Sequence, residues 1–328
     1  MVADYSFLEN LGLGLGLAGL AASLVEALVF IFIVKRPYDW RAALASLGVN
    51  VGRRFGNLIP LAIAMPGAEW LYAHRMLEPE KLGGWSFALL FLGLEFVYYW
   101  WHRICHRSRW FWTTHFPHHT SNELNLSAAY RIGWTTRIMA TYVVFMPMIL
   151  LGFDPVTVFA AYTLNLAYQV WIHVDWIPKL GFLEGIVNTP SAHRVHHAAN
   201  LEYLDANYGG MFMIFDRLFG TYRAERDAVP VRYGLVTPLH SYNPFRIALY
   251  PLLSMLRDLR GARTTREVFG YLFGPPGWLP DGNGATTENL RRRAMLLAAD
   301  TTTSPLSNAR GGDENAKAMI VDSGGLAR

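Results

Sequence analysis

Five stretches of this chain are too apolar to rest against water: about Leu11 to Val34, Gly56 to Ala73, Trp85 to Trp101, Arg137 to Gly152 and Pro155 to Val174. A helix needs about 20 such residues to cross a bilayer core. Inside lipid every backbone N–H and C=O must be paired within the protein, which restricts the spanning structures to helices and closed barrels. The chain is therefore expected to be all-α, a multi-pass membrane helical bundle of about four to five spanning helices. Composition agrees, since 52% hydrophobic against 16% charged residues leaves too little polar surface for a soluble domain of 328 residues. Asp4 and Glu9 precede the first stretch, where a cleaved leader would carry positive charge, so a retained helix is expected. Gly12, Gly16 and Gly19 within it suggest close helix packing.

The basic residues set an orientation. Lys35, Arg36, Arg41, Arg53 and Arg54 follow the first stretch and Arg103, Arg107 and Arg109 the third, whereas Glu78, Glu80 and Asp154 mark the loops after the second and fourth. The ends of stretches one, three and five then face the cytoplasm, together with everything beyond residue 174. The formal charge of +4 gives no reason to invoke nucleic acid, because the cations sit at the ends of apolar runs instead of lining one face. Cys105 is the only cysteine, so a disulfide within the chain and thiolate metal clusters are excluded.

Histidine carries the chemistry. His102 and His106 are spaced i, i+4 on a helix continuing from the third stretch, which projects both imidazoles from one face. His115, His118 and His119 follow at i, i+3, i+4, and His193, His196 and His197 repeat that spacing. His173, at the cytoplasmic end of the fifth stretch, makes a ninth, and only His74 and His240 stand apart. One zinc takes three or four protein ligands, so nine imidazoles imply two metal ions. Imidazole alone suits iron, zinc, copper or nickel about equally. Glu95 shares a helical stripe with His102 and His106, and Asn165 and Gln169 recur at i, i+4 before His173. These three are candidates to hold imidazole N–H groups from behind, Glu95 also to ligate directly.

The ordered set HRICH, HFPHH and HRVHH resembles the fatty acid hydroxylase and sterol desaturase superfamily, whose pattern is HxxxH, HxxHH, HxxHH. The flanks EFVYYWWHR, HHTSNELNLSAAYR, QVWIHVDWI, NTPSAHRVHH and LDANYGGMFMIFDRLFGTY are similar as well, from about Glu95 to Arg223. NLSAAYR, WIH and NTPS look most similar to the alkylglycerol monooxygenase-like branch, except that Arg107 stands where that branch has an acidic residue. The resemblance implies a cytoplasmic histidine-rich cap holding two iron ions through His102, His106, His115, His118, His119, His173, His193, His196 and His197. It also implies O2 as cosubstrate and the hydroxylation or desaturation of a C–H bond in a sterol, fatty acyl or alkyl-glycerol type lipid. The electrons must come from an external donor, because GLGLGLAGL is a helix in lipid and no dinucleotide fingerprint follows a strand.

Two other classes gather histidines at a membrane edge. A zinc-dependent hydrolase uses a metal-bound hydroxide, but HRICH lacks the glutamate of HExxH. A metal transporter or sensor would place its ligands near the midplane of the bilayer. Along the chain, residues 1–84 form the N-terminal transmembrane helices, 85–223 the catalytic core, 224–300 an interfacial extension and 301–328 a disordered tail. Arg103, Arg107, Arg109 and Arg194 are candidates to dock an acidic redox protein or a lipid headgroup.

Overall fold

The first helix, α1 (Ser6–Leu28), runs on through a π-helical turn, Val29–Val34, until Lys35 turns it off with a left-handed backbone (φ 58°). This fold comes from a computed structural model describing residues 6–56, 61–136, 139 and 141–303. Then follow α2 (Trp40–Gly56), α3 (Leu61–Ala73), α4 (Gly84–Arg107), α5 (Arg109–His115), α6 (Met146–Leu150), α7 (Pro155–Trp171), α8 (Pro190–His196), α9 (Ile214–Leu218), α10 (Pro244–Gly261), α11 (Thr265–Phe273) and α12 (Thr287–Thr303). No β-strand occurs among the described residues, only isolated bridges.

Local chemistry sets several helix starts. Asp154, Thr189, Asn243 and Thr264 each accept a backbone N–H from the first turn of α7, α8, α10 and α11. Pro155, Pro190 and Pro244 stand just inside three of those starts, where a missing N–H costs nothing. The core joins α3, α4, α6 and α7 through Met65, Ala68, Leu90, Leu94, Tyr98, Trp101, Met148, Ile149 and Val158. Cys105 is fully buried in the same cluster, a packing residue.

Among the described residues one helix is both long and apolar enough to cross a bilayer, Asn10–Val34, with mean hydropathy 2.5. At 1.5 Å per residue, α3 measures about 20 Å and α7 about 26 Å, short of a core about 30 Å thick. The helix α4 is long enough, but Glu95, Arg103 and Arg107 interrupt its apolar character. The stretch expected from Arg137 to Gly152 is a 3-10 turn, Thr141–Phe145, followed by the five-residue α6, with Arg137, Ile138 and Ala140 outside the described residues. Pro66 lies within α3, which continues past it, and Pro147 stands at the start of α6, where the 3-10 turn gives way to the helix.

The C-terminal ends of α1, α4 and α7 lie at one end of the molecule. Arg36, just past α1, pairs with Asp175, just past α7, at 2.6 Å. Glu26 on α1, given no role by the sequence, accepts the Leu126 N–H at 2.9 Å and the Trp176 indole N–H at 3.0 Å. Away from that end, large apolar side chains stay exposed, including Trp70, Trp85, Phe87, Leu92 and Phe182. In the C-terminal extension, α10 buries Ile247, Ala248 and Met255 while Phe245, Leu253 and Leu256 point outward. Of the tail expected to be disordered, Thr301–Thr303 close α12, and residues 304–328 lie outside the described residues.

Glycines report the contacts. Gly12 has no neighbour within 4 Å, while Gly19 faces the Tyr130 hydroxyl, so only part of the glycine pattern of α1 reflects packing. In α2, a Cβ at Gly52 would overlap the Trp134 ring, which is fixed by its indole bond to the Val49 carbonyl at 2.7 Å. Gly52→Ala is expected to lower stability by about 1–3 kcal/mol through overpacking, whereas Gly12→Ala is neutral or stabilising by up to about 1 kcal/mol. Thermal unfolding in detergent checks this; equal midpoints for the two variants would contradict the packing.

Candidate metal centre

Five pieces of chain deliver histidines to one point. His102 and His106 project from the last turns of α4, which stops where Ser108 becomes extended (φ −131°). The reversal into α5 brings His115 Nε2 to 2.9 Å from His102 Nε2. The short 3-10 turn His118–Thr120 carries His118 and His119. His173 follows the end of α7, and α8 supplies His193 and His196, with His197 at its C-terminal cap. All nine are buried.

They sort into two groups of four. His102, His106, His115 and His196 have ring nitrogens within 4.8 Å of one another, and so do His118, His173, His193 and His197. In the second group, His173 Nε2 lies 3.1 Å from His118 Nε2 and 2.9 Å from His193 Nε2. His119 stands between the groups, its Nε2 at 3.1 Å from His115 Nε2 and its ring 4.5 Å, centroid to centroid, from that of His197. The sequence therefore names the residues the fold brings together, and His74 and His240 are both exposed and outside the cluster.

The outward nitrogens reveal which way each ring is turned. His102 Nδ1 is 2.9 Å from the Tyr208 carbonyl, His196 Nδ1 3.0 Å from the Ala206 carbonyl and His173 Nδ1 2.6 Å from the Gln169 carbonyl. A carbonyl can only accept, so each of these Nδ1 atoms donates and each Nε2 turns a lone pair inward. Burial, reinforced by neighbouring imidazoles, holds His115, His118, His119, His193 and His197 well below the ordinary histidine range. Burial also takes His196 down to about 4 against the opposing bond to Ala206. Neutral, buried and convergent nitrogens form a donor set that fits transition-metal ions. The inward atoms His106 Nε2 and His196 Nε2 have no hydrogen-bond partner, as a waiting ligand would not.

The three polar residues behind the site act otherwise than expected. Glu95 touches no imidazole; it accepts the Met211 N–H at 3.0 Å, the Phe212 N–H at 3.0 Å and the Asn165 amide. Asn165 Oδ1 accepts from Gln169 Nε2 at 2.7 Å, and Gln169 Oε1 accepts from the Tyr98 hydroxyl at 2.9 Å. Tyr98 presses edgewise on His102, centroids 5.6 Å apart. Helix spacing put these groups on one side correctly, but they bond one another and Tyr98, and Glu95 reaches the loop at Met211 and Phe212, distant in sequence.

Other residues at the site lie in the stretches that carry the resemblance, LDANYGGMFMIFDRLFGTY and NLSAAYR, but spacing alone gives them no role. Asp216 accepts the Tyr208 and Gly209 N–H groups at 2.8 and 2.7 Å. Asp205 and Asn207 adopt positive φ, 55° and 59°, which acidic and amide side chains tolerate better than most. Arg131 is buried without a carboxylate, donating to Ser46 Oγ, Thr120 Oγ1 and the Ala42 carbonyl, and burial lowers it to about 10. It pins α2 to the turn bearing His118 and His119. The arginines considered for docking are largely engaged within the protein: Arg107 with Asp205 and Glu288, Arg109 with Asp258, Arg194 with Glu225, and Arg103 with the Tyr99 hydroxyl.

Residues 87–221 match the sequence model of the fatty acid hydroxylase family. The chain is 35% identical over 248 residues to alkylglycerol monooxygenase of Homo sapiens, covering 75% of this chain and 55% of that protein. It is 36% identical over 249 residues to alkylglycerol monooxygenase of Xenopus tropicalis, covering 75% and 54%. It is also 30% identical over 182 residues to ornithine lipid hydroxylase OlsE of Rhizobium tropici, covering 53% of each. The chain thus spans about half the length of these curated relatives. No solved structure gives a significant match.

Arg194 offers a test of the scaffold. Its guanidinium pairs with Glu225 at 2.7 Å and donates to the Ile177 carbonyl at 2.6 Å, both partners largely buried. Arg194→Met leaves Glu225 without its cation, at an expected cost of about 3–5 kcal/mol. Replacing Glu225 by Met as well should recover part of that loss in thermal unfolding; a double variant no better than the single would contradict the pairing.

Proposed function

We propose, for a chain that belongs to the fatty acid hydroxylase family through residues 87–221, that it is a membrane di-iron oxygenase that hydroxylates a C–H bond of a lipid, an alkyl-glycerol type lipid being favoured. The observation that carries this reading is the pair of four-imidazole groups at the ends of apolar helices, with nitrogens neutral and turned inward. Two irons bound there would supply the activation of O2 that oxidation of an unactivated C–H bond requires.

The chain's own residues do the rest. The backbone carbonyls of Tyr208, Ala206 and Gln169 keep three imidazoles in the ligand tautomer. Trp101 and Trp112 crowd the rings of His102, His106 and His119, which keeps water from the cluster. Among the described residues no carboxylate belongs to either group; Asp205 Oδ1 stands 3.8 Å from the outer nitrogen of His106. The ligand set therefore lacks the adjoining carboxylate base that a zinc hydrolase uses.

The relatives, an alkylglycerol monooxygenase and an ornithine lipid hydroxylase, favour hydroxylation over desaturation, and the higher identity to the alkylglycerol enzyme favours an alkyl-glycerol type lipid. A multi-pass arrangement is part of the proposal. It has α1 crossing fully and α4 and α7 entering beside it, their polar groups paired internally, with the cluster on the cytoplasmic side where Lys35, Arg36, Arg103 and Arg107 gather. Electrons come from a separate donor.

Metal analysis of anaerobically purified protein tests the centre, with iron in both groups expected. Lipid extracts from cells with and without the gene test the reaction, with gain of one oxygen atom in a lipid species expected and loss of two hydrogens indicating desaturation. His118→Ala or His196→Ala should abolish oxidation with the protein still inserted, and His240→Ala should retain it. Zinc alone with turnover independent of O2 would overturn the proposal.

A further inference from the structure

The two histidine groups are held from behind in different ways. In the group of His102, His106, His115 and His196, three outward nitrogens face one loop. His102 Nδ1 donates to the Tyr208 carbonyl, His196 Nδ1 to the Ala206 carbonyl, and His106 Nδ1 stands 3.8 Å from Asp205 Oδ1. In the other group no hydrogen bond joins that loop to the outward nitrogens of His118, His173 or His193. His173 Nδ1 bonds the Gln169 carbonyl of its own helix, and His118 Nδ1 and His193 Nδ1 have no hydrogen-bond partner.

The loop is fixed by a buried carboxylate. Asp216 is fully buried, accepts the Tyr208 and Gly209 N–H groups at 2.8 and 2.7 Å, and is itself held by Thr221 Oγ1 at 2.7 Å. The Tyr208 carbonyl that grips His102 and the Gly209 N–H that donates to Asp216 belong to one peptide unit, so the carboxylate holds that unit directly. Gly209 allows this approach, because a Cβ there would overlap the Phe212 carbonyl and meet Asp216 Oδ2 at 3.0 Å. Asn207, also fully buried, ties the same loop to the Ala192 carbonyl at 2.9 Å and to Arg223 on both sides of its amide.

We propose that Asp216 is a positioning residue for one metal of the pair: through the loop 205–209 it sets the rings of His102, His106 and His196, and it leaves the His118, His173, His193 and His197 group unaffected. The inference rests on the two-metal reading above. It makes the two ions unequal, one dependent on a loop far along the chain and the other on the His118 turn, the end of α7 and α8.

Cobalt(II) titration of the metal-stripped, detergent-solubilised full chain, followed by its visible absorption, tests this without activity. His193→Ala keeps the first group intact and His106→Ala keeps the second. Adding Asp216→Asn is expected to weaken cobalt binding about 10- to 100-fold in the His193→Ala background and by less than about twofold in the His106→Ala background. A merely structural role would weaken both alike, and equal weakening, or none in the His193→Ala background, overturns the proposal. Thr221→Val removes one donor to Asp216 and spares the backbone bonds. It is expected to give a smaller weakening with the same selectivity, and if Asp216→Asn does not fold, absence of selectivity in Thr221→Val overturns the proposal equally. A wild type that binds fewer than two cobalt ions overturns the two-metal reading and this inference together, whereas two ions that weaken together overturn this inference alone.

Discussion

An imidazole presents a lone pair to a metal only while it is neutral, and a partner on its other nitrogen fixes which way that lone pair points. Nine of them, buried within a few ångströms, would repel as cations, and burial holds His115, His119 and His196 below the ordinary histidine range. What burial cannot do is choose a tautomer. Backbone carbonyls do that at His102, His173 and His196, and each carbonyl is held by structure of its own: a helix for Gln169, a carboxylate-anchored loop for Ala206 and Tyr208. Much of the fold around residues 200–225 answers to this requirement.

The same requirement explains the polar chain inside an apolar bundle. A carboxylate such as Glu95 is costly away from water unless every lone pair is engaged. Here two backbone N–H groups and the Asn165 amide engage it, and the chain continues through Gln169 to Tyr98. The result ties α4, α7 and the loop bearing Met211 into one unit just behind the histidines. Gly210 sits against Asn165 and Tyr98 so closely that a Cβ would meet the Asn165 amide at 2.6 Å, which explains the glycine pair at 209 and 210.

How far the sequence could be read follows from the range of each signal. The histidine spacings are local, and a helix converts i, i+4 into one face without further information, so the ligand candidates could be named before any fold was known. Glu95, Asn165 and Gln169 were placed on the right helix faces for the same reason, but the backbone N–H groups that Glu95 accepts lie 116 and 117 residues further along the chain, beyond any periodicity. Asp216 lies in a stretch that carries the resemblance, but its role was not legible there, because a single carboxylate in a short helix looks like any solvated residue until the loop folds over it. The apolar stretches were legible as hydrophobic and not as lengths: α3 has 13 residues and α6 five, too few to cross a bilayer alone.

Charge shows the limit from the other direction. Arginines at the ends of apolar runs read from the sequence as a membrane border, yet Arg36, Arg107, Arg109 and Arg194 close ion pairs with Asp175, Asp205, Asp258 and Glu225. The two readings are compatible, because a cation at the lip of a bundle can satisfy an acid on a neighbouring segment and still count in the charge bias that orients a membrane chain. These pairs join segments separated by 98 to 149 residues in the cases of Arg36, Arg107 and Arg109. Most of them surround the histidine end of the bundle, so the same charges that the proposed orientation relies on also hold together the segments of chain that deliver the imidazoles. Under that proposal a substitution at one of these arginines acts on insertion and on the geometry of the centre at once, and the two effects separate only when the paired acid is changed with it.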